Sequence, residues 1–320
     1  MDTIVLCHGF PGFDRIGPVN YFAGVKKHLE ATCKDIRVLT PEVSAFGSIK
    51  TRAENLADIL RRDTRGEKLH LIAHSAGGLD ARKMVSDGLL RQSATVVTVS
   101  TISTPHAGTR LAEIALRERL TFFELLKLLR KFKDLFQRVA VASQDTQLQS
   151  IKDFIEHRFL PLLFSPRDFE QLLIDVVRKL LFNALVEGES GLRDLTRDSM
   201  KDFNAKTLDS PEVKYFYYAG VSTLEKLSPE FYISWPFVSA LEDEDNDGWI
   251  SLSSASARGS TQRIPADHLQ QIGHGVSGFD HLIFYKEVVE KAIVPHSGSA
   301  VIVLPENLHC FDVAHSQAAG

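Results

Sequence analysis

Sulfur-containing residues are scarce in this chain of 320 residues, which has only three cysteines and three methionines. Cys7, Cys33 and Cys310 are widely separated and form no C-x-x-C pair. The sequence therefore contains no disulfide framework. A single disulfide bond remains an alternative, although no spacing argues for it. Cys7 ends a predicted buried strand, and core packing accounts for it there.

A large charge of one sign and long apolar runs are also lacking. The formal net charge is −4, so the chain lacks the basic charge that is typical of nucleic-acid-binding proteins. No uncharged apolar run reaches membrane-spanning length, and the N-terminus lacks the charged segment and cleavage site of a signal peptide. We therefore expect no nucleic-acid partner, no transmembrane segment and a cytoplasmic location. The alternative is a secreted protein whose signal peptide is absent from this sequence.

Apolar residues make up 44% of the chain and include 20 phenylalanines. This content can bury a sizeable core, in one large domain or two small ones. In the first hundred residues, short apolar β-rich runs alternate with segments of helical spacing, which predicts a parallel sheet covered by helices. The predicted strands are 3–7, 36–39, 69–73, 95–99 and 213–220, and the predicted helices are 21–32, 53–60, 78–85 and 282–292.

The alternation stops after residue 109. The next hundred residues are rich in Leu, Phe, Lys, Arg and Glu, with apolar residues three or four positions apart. This pattern predicts a helical insertion over 110–210. The core is then formed by 1–109 and 211–295, and a C-terminal tail covers 296–320.

The stretch A-H-S-A-G at residues 73–77 follows a predicted buried strand and precedes a predicted helix. Small residues two positions before and after Ser75 permit a sharp strand-to-helix turn, in which neighbouring backbone comes very close. The turn exposes the Ser75 hydroxyl at a helix N-terminus, where developing negative charge is favoured. Ala73 stands where a glycine is usual and is small enough to fit. Ser75 is therefore a candidate nucleophile.

A serine nucleophile that attacks a carbonyl needs two backbone N–H groups to hold the oxyanion. Ala76, the residue after Ser75, can supply one. Phe10 can supply the other, because it follows His8-Gly9 in the turn C-H-G-F-P-G after the first strand.

Six segments occur in the order H-G-F, A-H-S-A-G-G-L-D-A-R, S-T-P-H-A-G-T, F-N-A-K, Y-Y-A-G and N-D-G-W-I-S. Together they resemble the bacterial true lipases of the α/β-hydrolase superfamily. The resemblance covers residues 2 to about 110 and about 195 to about 290, and it implies an α/β-hydrolase fold with a helical cap, or lid, in the insertion. It also implies a triad in the chain order Ser, acid, His.

The acid is implied by the resemblance to be Asp247, in N-D-G-W-I-S. The stretch D-E-D-N-D-G also has the offsets of an EF-hand calcium loop. That alternative lacks its completing ligand, because position twelve is Ser254 rather than a bidentate Glu. The lipases that this chain resembles often hold calcium with an Asp two residues after the catalytic His, and Gln270 stands there. We therefore expect no metal site.

The histidine has two candidates, since the tripeptide D-H-L occurs twice. His268 has the spacing from the acid and the sequence context that the resemblance implies. His281 is better explained as the start of the last helix, but it stays open as the base. His8, His74 and His106 belong to motif loops and are predicted to be hydrogen-bonded structural residues.

These residues predict a carboxylic-ester hydrolase without a cofactor, a lipase or a lipase-like esterase acting through an acyl-enzyme on Ser75. Alternatives are an esterase or thioesterase for soluble substrates and a non-catalytic binding protein with this fold. The insertion contains an apolar helical stretch with interspersed basic residues. We expect Phe122, Phe123 and Leu126 in this stretch to line the acyl site, and transient contact with a lipid surface is a further expectation.

Overall fold

The computed structural model describes residues 2–10, 15–16, 19–33, 35–116, 189–223, 226–231, 234–242, 245–276 and 278–293. The strands are β1 (Asp2–Cys7), β2 (Arg15–Ile16), β3 (Val19–Asn20), β4 (Ile36–Leu39), β5 (Lys68–His74), β6 (Thr95–Ile102), β7 (Lys214–Gly220) and β8 (Thr261–Ile264). The helices are α1 (Val25–Thr32), α2 (Ile49–Asp63), α3 (Gly77–Ser86), α4 (Arg110–Ala115), α5 (Glu189–Asp194), α6 (Arg197–Lys206), α7 (Ser234–Glu242), α8 (Leu252–Ser256) and α9 (His281–Ile293), with 3₁₀ turns at Pro229–Phe231 and Gln270–Ile272.

The centre of the fold is a six-stranded sheet in the order β4-β1-β5-β6-β7-β8, in which every pairing is parallel. Strands β1 and β5 are buried except at their first residues and contain the apolar runs I-V-L-C and L-I-A. Such continuous apolar runs suit parallel strands that are covered on both faces. The carboxyl ends of parallel strands meet at one edge, where α/β sheets bind their ligands.

Helices cover the two faces of this sheet. One core cluster joins β1 and β5 to α1 and α9, and a second joins them to α2 and α3. Helix α2 shows why these segments are helical. Its N-cap Ser48 accepts a hydrogen bond from the N–H of Thr51, and apolar residues such as Leu56 and Leu60 recur on its buried side.

The predicted parallel sheet covered by helices is confirmed, and each strand and helix predicted for the core has a counterpart in the structure. The helix predicted over 21–32 begins only at Val25, because Gly24 adopts a positive φ of 71° at its N-cap. Strands β2, β3 and β8 and helices α7 and α8 were not predicted. Within the described residues, no helix is long and apolar enough to cross a membrane.

The insertion predicted over 110–210 is described only at its ends, which form α4, α5 and α6. The N–H of Thr109 donates to the carbonyl of Leu195, and Glu113 accepts hydrogen bonds from Arg197. The two ends are therefore held side by side. Residues 117–188 and the predicted tail over 296–320 lie outside the described residues, so the domain bounds stay a prediction.

Candidate active site

Ser75 lies in the turn between β5 and α3, at the carboxyl edge of the sheet. Its φ is +55°, a strained value for a residue with a side chain. A Cβ on Gly77 would lie 2.5 Å from the Cys7 carbonyl, and one on Gly78 would lie 2.1 Å from the Thr104 hydroxyl. The small residues of the motif are therefore required by close packing around the turn.

Hydrogen bonds hold the strained turn in place. The N–H of Ser75 donates to the carbonyl of Ile102 at 2.8 Å, which ties the turn to the end of β6. The Thr104 hydroxyl donates to the Ser75 carbonyl, also at 2.8 Å. The surrounding structure thus fixes a conformation that the serine would otherwise leave.

Asp247 and His268 form a direct pair on two neighbouring loops. Asp247 lies between β7 and α8, and His268 follows β8. The Asp247 Oδ2 atom is 2.7 Å from Nδ1 of His268, and the backbone N–H of His268 donates to the Asp247 carbonyl at 2.8 Å. Both side chains are buried, with Asp247 at 0% exposure. The contact fixes Nδ1 as the protonated nitrogen, because a carboxylate only accepts.

Burial alone would raise the pKa of Asp247. The neighbouring His268, its hydrogen bond, the Ile250 N–H and the Ser103 hydroxyl outweigh that effect and lower the pKa below its ordinary value. The N–H groups of Trp249 and Ile250 both donate to Oδ1, at 3.1 and 2.8 Å. The site therefore holds Asp247 as a carboxylate in a buried position.

The second ring nitrogen of His268, Nε2, is buried and has no hydrogen-bond partner among the described residues. The ring centroid lies 4.4 Å from that of His74, the residue before Ser75, and 5.4 Å from that of Trp249. With Nδ1–H directed at Asp247, the lone pair of Nε2 is free to accept a proton. This is the nitrogen that a general base beside Ser75 requires.

His281 occupies a different place, at the start of α9. Its Nε2 atom donates to the carbonyl of Ala23 at 2.7 Å, and its ring packs against Gly273. It makes no contact with Asp247 in the described part of the chain. The structure brings His268, and not His281, to the acid.

The other motif histidines are buried and hydrogen bonded. Desolvation lowers the pKa of His8 to about 4 and lowers the pKa of His74 and of His106 well below the ordinary value. They are neutral at physiological pH, which suits structural roles. Cys7 is also buried, and burial raises the pKa of its thiol.

The loop that carries Phe10 passes directly against Ser75. A Cβ on Gly9 would lie 2.6 Å from Cβ of Ser75. Arg52, fully buried on α2, donates to the carbonyls of His8 and Gly9 at 2.9 and 3.2 Å. Asp80 on α3 pairs with this guanidinium at 2.8 Å. Burial raises the pKa of Asp80 to about 6, although Arg52 opposes the shift.

Phe10 follows Gly9 on the loop after β1, and Ala76 follows Ser75 at the N-cap of α3. Because the guanidinium holds the two carbonyls before Phe10, the backbone of this loop has a defined orientation. Both residues remain the predicted oxyanion donors.

An apolar cleft opens beside Ser75. Its lining comes from the loops at the carboxyl edge and from the described ends of the insertion. The lining residues are Phe10, Ser75, Pro105, Thr109, Leu111, Ala112, Leu192, Leu195, Trp249 and Ile250. The predicted acyl-site residues Phe122, Phe123 and Leu126 lie outside the described residues. Among the described residues, the insertion reaches the cleft through α4 and α5.

The described residues hold no cluster of three or more His, Cys, Asp or Glu side chains that could share a metal ion. Ser254, at position twelve of the EF-hand pattern, instead donates to the Gly108 carbonyl at 2.7 Å. Asp247 is directed at His268. The amide of Gln270 donates to the carbonyls of Lys226 and Val276, at 3.1 and 3.2 Å.

Three residues of the site were not found from the sequence. Arg52 and Gln271 contact the site over separations of 24 residues or more, as in the hydrogen bond from Gln271 to Asp247. No local pattern marks such contacts. Trp249 was visible within N-D-G-W-I-S, but only the packing shows that it covers His268.

No protein-family model matches the chain. The chain is 28% identical over 265 residues to triacylglycerol lipase 2 of Saccharomyces cerevisiae, covering 79% of this chain and 62% of that protein. It is 24% identical over 327 residues to lipase 1 of Staphylococcus aureus, covering 79% of this chain and 45% of that protein. The chain thus spans less than two thirds of the length of these curated relatives.

The structure of a Staphylococcus hyicus lipase superimposes with a TM-score of 0.59 and 18% identity, covering 91% of this chain and 95% of that one. A lipase from Pelosinus fermentans gives a TM-score of 0.57 at 18% identity, covering 90% of this chain and 97% of that one. The chain therefore has the α/β-hydrolase fold, and the resemblance to bacterial lipases read from its motifs is confirmed.

Proposed function

We propose that this chain is a serine hydrolase of carboxylic esters, a lipase or lipase-like esterase, that works through Ser75, His268 and Asp247. The observation that carries the proposal is the contact of 2.7 Å between His268 and Asp247, with the His268 ring 4.4 Å from the ring of His74, the residue before a serine held at a strained positive φ. The names of the relatives support the substrate class, because they include a triacylglycerol lipase.

In the proposed reaction, Nε2 of His268 takes the proton of Ser75 as its oxygen attacks the ester carbonyl. The Asp247 carboxylate keeps the proton of the imidazole on Nδ1 and stabilises the imidazolium that forms. The N–H groups of Phe10 and Ala76 hold the tetrahedral oxyanion. The alcohol leaves with the proton from His268, and water then hydrolyses the acyl-enzyme with His268 again as base.

The substrate class follows from the cleft. Apart from Ser75 and Thr109, the side chains that line it in the described part of the chain are apolar, so it suits the acyl chain of an ester better than a charged group. The proposal also includes three further residues of the acyl site, Phe122, Phe123 and Leu126. It includes contact between the insertion and a lipid surface as well.

The test is a panel of p-nitrophenyl esters from acetate to palmitate, assayed with the wild type and with Ser75→Ala. We expect hydrolysis that falls by about 10⁴-fold or more in the variant. Ser100→Ala is a matched control, because Ser100 is a buried serine on the adjacent strand β6 whose hydroxyl has no partner among the described residues.

Undiminished turnover by Ser75→Ala would refute the proposal. Lack of activity toward every ester by a folded wild type would favour a binding protein with this fold. A rate that rises sharply at the solubility limit of the ester would support contact with a lipid surface, and a smooth curve would remove that part alone.

A further inference from the structure

Gln271 is a fully buried polar residue that the proposed chemistry does not use. It lies in the 3₁₀ turn Gln270–Ile272, three residues after His268. Its Nε2 atom is 3.1 Å from Oδ2 of Asp247 and 3.4 Å from the carbonyl oxygen of Ala266. Its Oε1 atom is 3.2 Å from Nε2 of His74. Gln271 therefore joins the acid to the residue before the nucleophile.

The neighbours of Gln271 determine which way its amide points. The Asp247 carboxylate and the Ala266 carbonyl can only accept hydrogen bonds, so the NH₂ group must face them. The amide oxygen then faces His74, and the His74 nitrogen at that contact must carry a proton. His74 is fully buried, and desolvation lowers its pKa well below the ordinary value, so its other nitrogen is an unprotonated acceptor.

Tyr21 completes the chain of hydrogen bonds. Its hydroxyl is 2.8 Å from Nδ1 of His74 and must be the donor, because that nitrogen accepts. The N–H of Gly9, the residue before Phe10, donates to the oxygen of the same hydroxyl. Each group in this series donates to the next one: Gly9 to Tyr21, Tyr21 to His74, His74 to Gln271, and Gln271 to Asp247. Aligned hydrogen bonds polarise one another, which strengthens the last of them.

The residues packed around Gln271 leave room only for its amide group. A Cβ on Gly220, at the end of β7, would lie 1.9 Å from Nε2 of Gln271 and 3.0 Å from Cβ of Asp247. Any larger residue at position 220 would displace the amide from the carboxylate.

We infer that Gln271 is a positioning residue for the Asp247–His268 pair, and that it ends a one-directional hydrogen-bond chain running from the oxyanion loop to the acid. The inference rests on the proposed function. Gln271 does not touch the reacting atoms. It fixes the oxygen of Asp247 that faces His268, so its loss should slow the chemical step without weakening the binding of a short ester.

The first test compares Gln271→Met with Gln270→Met. The control removes a buried glutamine from the same 3₁₀ turn, one whose hydrogen bonds do not reach Asp247. For p-nitrophenyl butyrate we expect Gln271→Met to lower kcat about tenfold with KM within about twofold, because one hydrogen bond to a charged group is lost. The downfield ¹H NMR resonance of the proton between His268 and Asp247 should also shift. Gln270→Met should change neither readout, even if both variants melt at lower temperature.

A kcat of Gln271→Met within twofold of the wild type, an unmoved resonance, or the same changes in Gln270→Met would overturn the inference. If Ser75→Ala kept its activity instead, the proposed function would fail, whatever Gln271→Met did. The two failures are therefore distinguishable.

The second test needs no activity and uses the wild-type chain. ¹⁵N NMR of labelled histidine reports which nitrogen of His74 is protonated. We expect the Nε2–H form, and Tyr21→Phe should perturb the Nδ1 signal because the donor to that nitrogen is lost. A His74 protonated on Nδ1, or insensitive to Tyr21→Phe, would contradict the direction of the chain.

Discussion

His268 and Asp247 are 21 residues apart in the chain, yet their Nδ1 and Oδ2 atoms lie 2.7 Å apart. The contact arises because β7 and β8 are neighbouring parallel strands, so the loops that follow them leave the sheet side by side. The backbone of His268 is also bonded to the carbonyl of Asp247. The sheet therefore positions the pair, because the two loops that carry it follow neighbouring strands.

This pairing predicts how the two candidate histidines respond to mutation. His268→Ala should reduce kcat/KM for p-nitrophenyl butyrate by about 10⁴-fold, because the proposed proton acceptor for Ser75 is lost. His281→Ala should keep kcat/KM within about threefold and lower Tm, because it loses the hydrogen bond to Ala23. Steady-state kinetics and thermal melts of both variants check this, and the reverse pattern would move the base to His281.

The cleft predicts a dependence on acyl-chain length. Ala112 on α4 is fully buried and lines the cleft beside Ser75. Ala112→Phe should narrow the cleft and lower kcat/KM for the octanoate ester at least about tenfold more than for the acetate ester, because the added ring would occupy space that the longer acyl chain needs. The acetate ester is the internal control. Equal losses on both esters would mean that this cleft does not hold the acyl chain.

Much of this arrangement could be predicted from the sequence. The turn at Ser75 was visible because its requirement for small residues falls within five consecutive positions. Sheet strands such as β1 and β5 were visible because each contains a short run of apolar residues. Strand β8 was missed because it lies at the edge of the sheet, where Gln262 and Arg263 are exposed.

The residues that support the site from outside could not be predicted in the same way. Arg52 is one charged residue among several on an amphipathic helix, and only the folded chain shows that it holds the carbonyls of His8 and Gly9. Gln271 resembles its neighbour Gln270 in sequence, but their hydrogen bonds serve different partners. Such roles depend on long-range packing, which leaves no periodic pattern in the chain.

Calcium should not be needed for activity or stability. The Gln270 amide already links the carbonyls of Lys226 and Val276 by hydrogen bonds, where the resemblance would place a carboxylate ligand. Treatment with EGTA should leave both ester hydrolysis and Tm unchanged. A large loss of either that calcium alone restores would show that the acidic run at 242–247 binds an ion.

Stability should fall as the pH falls below 6.5, in part through His8. The pKa of His8 is lowered to about 4 in the folded chain from 6.5, so its neutral form stabilises the fold above pH 6.5 and that contribution is lost as the pH falls toward 4. From pH 7 to pH 5 the loss from this group is about 2 kcal/mol of unfolding free energy. Urea unfolding of the wild type and of His8→Gln at both pH values measures it. The variant should lose less by about that amount, and equal losses would show that His8 does not titrate as described.

Covalent labelling of Ser75 tests the central claim most directly. The chain is mixed with p-nitrophenyl butyrate, quenched with acid within milliseconds and digested, and the peptides are analysed by mass spectrometry. We predict a butyryl group on the peptide that contains Ser75. The group should be absent from Ser75→Ala, and in His268→Ala it should form about 10⁴-fold more slowly. A butyryl group on another residue during turnover, with Ser75 unmodified and Ser75→Ala fully active, would contradict the account.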